Sequence, residues 1–398
     1  MSETLSATIG WSAAGDAEKA GVEAAEAALE NFPGGLPMLA IAFGSSWFDQ
    51  AALLGGIRAV LHDTPVVGMS TAGEITPRGP VSHTCVIALI GSDTMACSFG
   101  ATAPVDVSPR QAGQRAAYAA LREFKPATPR SGLVVFGDGL LTCYADVVRG
   151  IREALGTNFL IAGGMAGDDF RFERTYQYAR DRVLSRSVVC VLLGGSVKMG
   201  VGIEHGYAPI SRPRRVTRSR SNILIEIDRQ PAAAVYEEYF GRDLVRRLSA
   251  TGLSRQSFVY PLGIQCGADD QWLLRNVMAF RDDGSLTCSG EVTEGGWLQL
   301  MMGSRELAMD AAHRAAQQAV RALNRIGCVM VFDSAARRQL LGPDHAAREI
   351  ARIRETVGLS VPLIGCYTYG EQAPLGPATT YEHSATQTGS VLVVALGV

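Results

Sequence analysis

The side chains best suited to chemistry fall in four places. In Val197-Lys-Met-Gly-Val-Gly-Ile-Glu-His205, strand alternation puts Val197, Met199, Val201, Ile203 and His205 on one face. A neutral imidazole at the end of such an apolar stripe could ligate a haem iron while the stripe covers the porphyrin. It could equally be a core histidine bonded to a carbonyl. Arg212, Arg214, Arg215, Arg218 and Arg220 follow closely; they could hold propionates or another anion, or simply form a solvated face. Glu74, Asp168 and Glu371 each follow a glycine and a predicted strand. Beyond a strand's carboxyl end such an acid could bind an amino group or polar ligand, or cap backbone N–H groups in a glycine turn. The fourth place is Cys366, Tyr367, Tyr369 and Glu371, where Cys366 could act as a nucleophile only with a base at hand.

No histidine lies near Cys366 in the sequence, and GxGxxG, P-loop, GxSxG and HExxH motifs are absent. The expectation is a binding protein and not an enzyme. His83 and His383 follow two similar loops and are the alternative iron ligands, whereas His313 and His345 fall in exposed helical patterns and His62 near a helix end. The eight cysteines form no CxxC or CxxCH pair, which leaves neither a zinc site nor a c-type haem attachment, and most sit in apolar runs as small hydrophobes.

The elements that must position these residues repeat. Gly21-Val-Glu-Ala-Ala-Glu-Ala-Ala-Leu-Glu-Asn-Phe32 and Gly113-Gln-Arg-Ala-Ala-Tyr-Ala-Ala-Leu-Arg-Glu-Phe124 agree at seven of twelve positions, and Ala312–Val320 is a weaker third copy. Alanine content and apolar spacing predict helices. Buried-strand runs follow at 39–43, 133–136 and 328–332, then a second helical stretch and a second strand. Next come the glycine-acid loops, two of which share a GExxPxGP pattern, Gly73–Pro80 and Gly370–Pro377. The acids lie 94 and 203 residues apart, so repeats of about 95 residues build an α/β protein of duplicated, layered domains, mixed sheets flanked by helices. The segment from about Val216 to Leu300 breaks the pattern, with strands expected at 222–227, 258–264, 272–280 and 286–290 and a helix from Pro231 to about Leu248.

Composition bounds the function. The chain of 398 residues carries 37 Lys+Arg against 39 Asp+Glu, a formal charge of −2. That excludes a basic nucleic-acid binder. With 47% hydrophobic residues there is ample core for two or three domain-sized units. The longest apolar runs, Ser187 to Gly195 and Gly389 to Val398, are too short to span a membrane and read as buried strands. The N-terminus shows neither a basic n-region nor an apolar h-region, so a cytoplasmic protein is expected.

Several tracts carry a family resemblance. Gly200-Val-Gly-Ile-Glu-His-Gly-Tyr-Ala-Pro209, Arg215-Val-Thr217, Asn222-Ile-Leu-Ile-Glu-Ile-Asp228 and Gln230-Pro-Ala232 resemble the FIST family, named from F-box and intracellular signal transduction proteins. Val66–Glu74 and Ile161–Asp168 look like loops of its N-terminal domain; Tyr260-Pro-Leu-Gly263, Gly295-Gly296 and Ile364–Glu371 look like its C-terminal domain. The resemblance implies an N-terminal helix of the first repeat at 1–34, a FIST N domain at 35–225 and a FIST C domain at 226–390. It also implies a sensor of small molecules such as amino acids. A stand-alone bacterial subgroup implies nitric-oxide sensing through haem, with a histidine kinase or cyclic-di-GMP enzyme as partner and a homodimer left open. Within that reading His205 ligates the iron, and the haem-free alternative uses Glu74, Glu371 and the arginines.

Overall fold

The computed structural model describes residues 5–33, 35–102, 108–141, 144–251, 258–266, 271–374 and 384–398. One pattern recurs three times: strand, helix, strand, helix, strand, short hairpin, strand. The first unit runs through Ser6–Ser12, Ala17–Glu30, Leu39–Ser45, Gln50–Leu61 and Val66–Thr71, then the hairpin Glu74–Thr76/Gly79–Val81, and closes with Cys85–Gly91. The second has Met95–Thr102, Pro109–Glu123, Arg130–Gly137, Tyr144–Leu155, Ile161–Met165, the hairpin Gln177–Ala179/Arg182–Leu184 and Val188–Gly195. The third has Lys198–His205, Arg305–Val320, Ile326–Ser334, Ala335–Val357, Leu363–Thr368, the hairpin Gly370–Pro374/Ser384–Gln387 and Ser390–Gly397. The chain is thus α/β with mixed sheets flanked by helices.

Each unit's sheet has a parallel pair at its centre, such as Leu39–Ser45 beside Val66–Thr71. The hairpin that completes it comes from a different unit. Gln177–Ala179 of the second unit pairs with Val66–Thr71 of the first, Gly370–Pro374 of the third with Ile161–Met165 of the second, and Glu74–Thr76 of the first with Leu363–Thr368 of the third. The three six-stranded sheets are therefore interlocked in a ring. Their inner faces share one apolar core in which Phe43, Phe136 and Phe332, one from each unit, meet with ring centroids 5.8 to 6.2 Å apart. Phe43 and Phe332 meet edge-to-face and the other two pairs are tilted, arrangements that aromatic rings prefer over a face-to-face sandwich.

The repeated alanines have a packing reason. A Cβ added at Gly10, Gly100 or Gly202 would lie 2.2, 1.9 or 2.0 Å from the carbonyl oxygens of Ala24, Ala116 and Ala315. Each unit's first strand thus touches the backbone of its first helix, an approach only glycine facing alanine allows.

Between Lys198–His205 and Arg305–Val320 the third unit carries an insertion built on a nine-stranded sheet with its own apolar core. Here the sequence expectation needs three corrections, the first being that the strand expected across 258–264 forms only over Leu262–Gln265. In place of one helix from Pro231 to Leu248, Gln230–Pro231 pairs as a short strand with Ile223–Ile227, and two helices, Ala234–Phe240 and Arg242–Thr251, follow. They are broken at Gly241, whose φ of 78° ends the first helix. Similarly, the strand expected across 272–280 is two strands, Trp272–Arg275 and Val277–Phe280, interrupted at Asn276.

Candidate functional site

Loops that follow the parallel strands of the second and third units gather in one place. There a cavity of about 220 Å³ opens between the second unit, the third unit and the insertion. Its walls are largely apolar: Leu140 and Leu141 after the strand Arg130–Gly137, Phe170 and Phe172, Tyr369, and Phe258 and Met278 of the insertion. Ser334, Ala335 and Ala336 bring the first turn of the helix Ala335–Val357 to it. Ser334 makes no side-chain cap there; its Oγ accepts from Gly389 N at 3.0 Å.

The wall formed by Phe170 and Phe172 is held in an unusual shape. Asp169, Phe170 and Phe172 all have positive φ, 55°, 64° and 55°, a costly conformation for side chains of this bulk. Asp168 supplies the compensation: its carboxylate accepts from Phe172 N, Glu173 N and Arg174 N at 2.9, 2.7 and 2.9 Å, and from the Tyr369 hydroxyl at 2.5 Å. Phe170 N donates to that hydroxyl at 2.8 Å, and the Tyr369 ring stacks on Phe172 with centroids 4.7 Å apart. The helix side is fixed from beneath. Arg337, fully buried, bonds to Asp333 at 2.9 Å, to Glu349 and to the Ala308 carbonyl.

On the insertion side lies Asn276, only 4% exposed. Its backbone N donates to Ser289 Oγ at 3.0 Å and its carbonyl accepts from Ser289 N at 2.9 Å, which pins the residue at the strand break. The side-chain Oδ1 has no hydrogen-bond partner among the described residues. A buried amide oxygen left unpaired costs about 1–3 kcal/mol.

Of the residues singled out from the sequence, Tyr369 lines this cavity and Asp168 shapes its wall. Glu74 and Glu371 do not reach it. Both are fully buried: Glu74 accepts from Thr71 Oγ1, Thr84 N and Thr84 Oγ1, and Glu371 from Thr368 Oγ1, Ser390 N and Ser390 Oγ. Loss of water raises their carboxyls to about 7 and about 8. Strand register shows that the second unit's counterpart is Gln177, not Asp168. Gln177 sits opposite Met69 as Glu74 sits opposite Cys366 and Glu371 opposite Gly164, and its Oε1 accepts from Ser187 N at 3.2 Å.

Cys366 and Tyr367 are also fully buried, and burial pushes the Cys366 thiol well up, away from the thiolate a nucleophile needs. Arg214 is buried against Glu238 and Asp228, and Arg215 lies over the Trp297 ring. His83 is exposed, its ring 4.8 Å from that of Trp47. His383 lies outside the described residues.

The stripe ahead of His205 does form, but Met199, Val201 and Ile203 pack against the shared central core. His205 accepts from Tyr207 N at 3.4 Å, and burial with Arg337 and Arg314 nearby lowers its pKa to about 4, so it is neutral. The residues present do not fit a haem. The stripe is occupied by protein, Arg214 is already paired, and among the described residues the cavity near the strand ends is lined by no histidine. Its volume, against about 150 Å³ for a cavity that takes benzene, suits one or two rings and not a porphyrin.

Sequence profiles close the comparison. The FIST N domain matches residues 38–230 and the FIST C domain residues 232–374. The chain belongs to the FIST family. FIST domains are associated with sensing in signal transduction. A relative, the uncharacterized protein MJ1623 of Methanocaldococcus jannaschii, is 28% identical over 172 residues. That match takes in 39% of this chain and 32% of the archaeal protein, so the FIST chain spans about a third of that relative's length. Among solved structures, the cyanuric acid hydrolase of A. caulinodans aligns over 99% of this chain and 100% of its own at 10% identity and a TM-score of 0.37. A second cyanuric acid hydrolase structure aligns over 99% of both chains at 12% identity and a TM-score of 0.36. Among the described residues no helix is long and apolar enough to cross a membrane, which says nothing of a β-barrel.

Missed in the sequence were Asn276, Phe170, Phe172 and Phe258. A signal existed for the first: asparagine is disfavoured inside a strand, and one in the middle of 272–280 marks a break.

Proposed function

We infer that this FIST protein is a cytoplasmic, haem-free sensor that binds a small, largely apolar molecule in the 220 Å³ cavity. It acts by regulating a partner, a histidine kinase or cyclic-di-GMP enzyme, and not by catalysis. One observation carries the reading: the cavity lies where the second unit, the third unit and the insertion meet, so an occupant touches all three and can bias how they sit together. The strained wall at 169–172 supports it, since strain of this kind collects at ligand-binding sites. Against catalysis stand the fully buried Cys366 with its raised thiol and the fully buried Glu74 and Glu371.

The test is a thermal-shift panel of amino acids, aromatic metabolites and hemin on the wild type and on Met278→Trp, which adds bulk at the cavity wall. A ligand at 100 times its Kd should stabilise the wild type by about 2.7 kcal/mol, and Met278→Trp should abolish the shift. Hemin should give the broad spectrum of the free compound. A sharp Soret band that moves on reduction and is lost in His205→Ala would overturn the haem-free reading.

A further inference from the structure

Resting on that reading of the cavity, we propose that the segment 168–174 is a relay that carries cavity occupancy to the exposed ring of Trp47, with Asp169 and Arg171 as its output side. Only the second unit has such a segment. The chain crosses from the second parallel strand into the hairpin through residues 72–73 in the first unit and residue 369 in the third, but through 166–176 in the second. That extra length reaches from the cavity, where the second and third units meet, back to the first unit.

Side chains along it alternate between the two places. Phe170 and Phe172 line the cavity. The alternate residues, Asp169 and Arg171, turn to the loop after Leu39–Ser45. Asp169 accepts from Ser45 Oγ and Ser46 Oγ, each at 2.9 Å, and Arg171 donates to the Ser46 carbonyl at 3.1 Å while its guanidinium lies 5.9 Å from the Trp47 ring centroid. Ser45 Oγ in turn accepts from Trp47 N at 3.2 Å. Trp47 is 63% exposed and its ring lies against that of His83, so a shift of the segment is displayed at the surface.

The backbone makes the segment a switch and not a strut. Asp169, Phe170 and Phe172 are held at positive φ, and strain of that kind persists only while the surroundings over-determine it. The cavity side supplies part of the hold, because the Tyr369 hydroxyl bridges the Asp168 carboxylate and Phe170 N. An occupant that presses on Phe170 and Phe172, or displaces Tyr369, shifts the balance between the clamped backbone and a relaxed one. In the relaxed form Asp169 and Arg171 no longer hold 45–47.

The probe is benzene, which fits an apolar cavity of about 150 Å³, titrated into the full chain carrying 5-fluorotryptophan. Among the four tryptophans, Trp47 gives the fluorine signal that Trp47→Phe removes. Calorimetry reads occupancy separately. Benzene should bind and move the Trp47 signal. In Arg171→Ala, which changes an exposed side chain outside the cavity lining, benzene should still bind but leave that signal in place. Benzene bound with the Trp47 signal unmoved in the wild type, or moved equally in Arg171→Ala, overturns the relay and leaves the cavity sensor standing. If benzene does not bind, Tyr369→Phe decides, since it removes the bridging hydroxyl without any ligand. Its Trp47 signal should differ from that of the wild type, and the difference should vanish when Arg171→Ala is present in both chains. A Tyr369→Phe chain whose Trp47 signal matches the wild type overturns the relay.

Discussion

At equivalent positions of the three units the chain places Glu74, Gln177 and Glu371, each buried and each held by the residue that opens the unit's last strand or just precedes it: Thr84, Ser187 and Ser390. The amide in the second unit shows that the position asks for a hydrogen-bonding group and not for a charge. Burial raises Glu74 to about 7 and Glu371 to about 8 from an ordinary 4.5. The folded chain therefore keeps protons that the unfolded chain has released. Their contribution is fully present below about pH 4.5 and is lost as pH rises through about 7 and then 8. Glu74→Gln and Glu371→Gln should keep the fold and flatten this decline, recovering on the order of 3 and 5 kcal/mol respectively at pH 9. Melting temperatures measured from pH 5 to pH 9 decide it, and a wild-type slope unaltered in both variants would refute the assignment. From sequence, the glycine-acid spacing matched Asp168 to the other two acids. The extra loop at 168–176 moves the true counterpart to Gln177, which only strand register reveals. Burial was equally hidden: nothing in the spacing of Cys366, Tyr367 and Glu371 says that all three are sealed from water.

Among the elements, the first helix of each unit was plain in the sequence because alanine repeats are a local signal: Ala17–Glu30, Pro109–Glu123 and Arg305–Val320 all form. The reason for the alanines was not local, since it lies in Gly10, Gly100 and Gly202 pressing on those helices from the strands. Glycines at different places should therefore respond in opposite ways. Gly100→Ala would put a Cβ 1.9 Å from the Ala116 carbonyl oxygen, backbone that cannot step aside, and should cost about 3 kcal/mol or more. Gly55, exposed within Gln50–Leu61, has nothing within 4 Å of an added Cβ. Gly55→Ala should stabilise by about 0.5–1 kcal/mol through helix propensity. Chemical denaturation of the two variants measures both signs, and a neutral Gly100→Ala would show that strand and helix can part. Within the insertion, by contrast, sequence reading misjudged continuity at Gly241 and at Asn276, because each break depends on one residue's backbone and not on periodicity.

At the scale of the whole molecule, the repeat predicted three similar units but not that each would lend a hairpin to another. Pairing between units separated by hundreds of residues leaves no local mark. Its consequence is thermodynamic. If the first unit opened, Leu363–Thr368 of the third would lose Glu74–Thr76 as its neighbour, and Val66–Thr71 would release Gln177–Ala179 of the second. Phe43, Phe136 and Phe332 would part at the same time, exposing the core all three share. Chains of this size commonly unfold in stages, yet here no unit has a complete sheet of its own to keep. The insertion does, with a separate core around Val216, Leu224, Tyr236 and Leu298. Native-state hydrogen exchange across a denaturant series should therefore show Leu39–Ser45, Arg130–Gly137 and Ile326–Ser334 opening with one common free energy. Ile223–Ile227 of the insertion should open separately and at lower denaturant, because fewer apolar contacts hold it. A first or second unit that exchanged well before the other two would show that the hairpins are ornaments on independent domains. A common opening would mean that a ligand wedged between the second unit, the third unit and the insertion acts on the ring as one body.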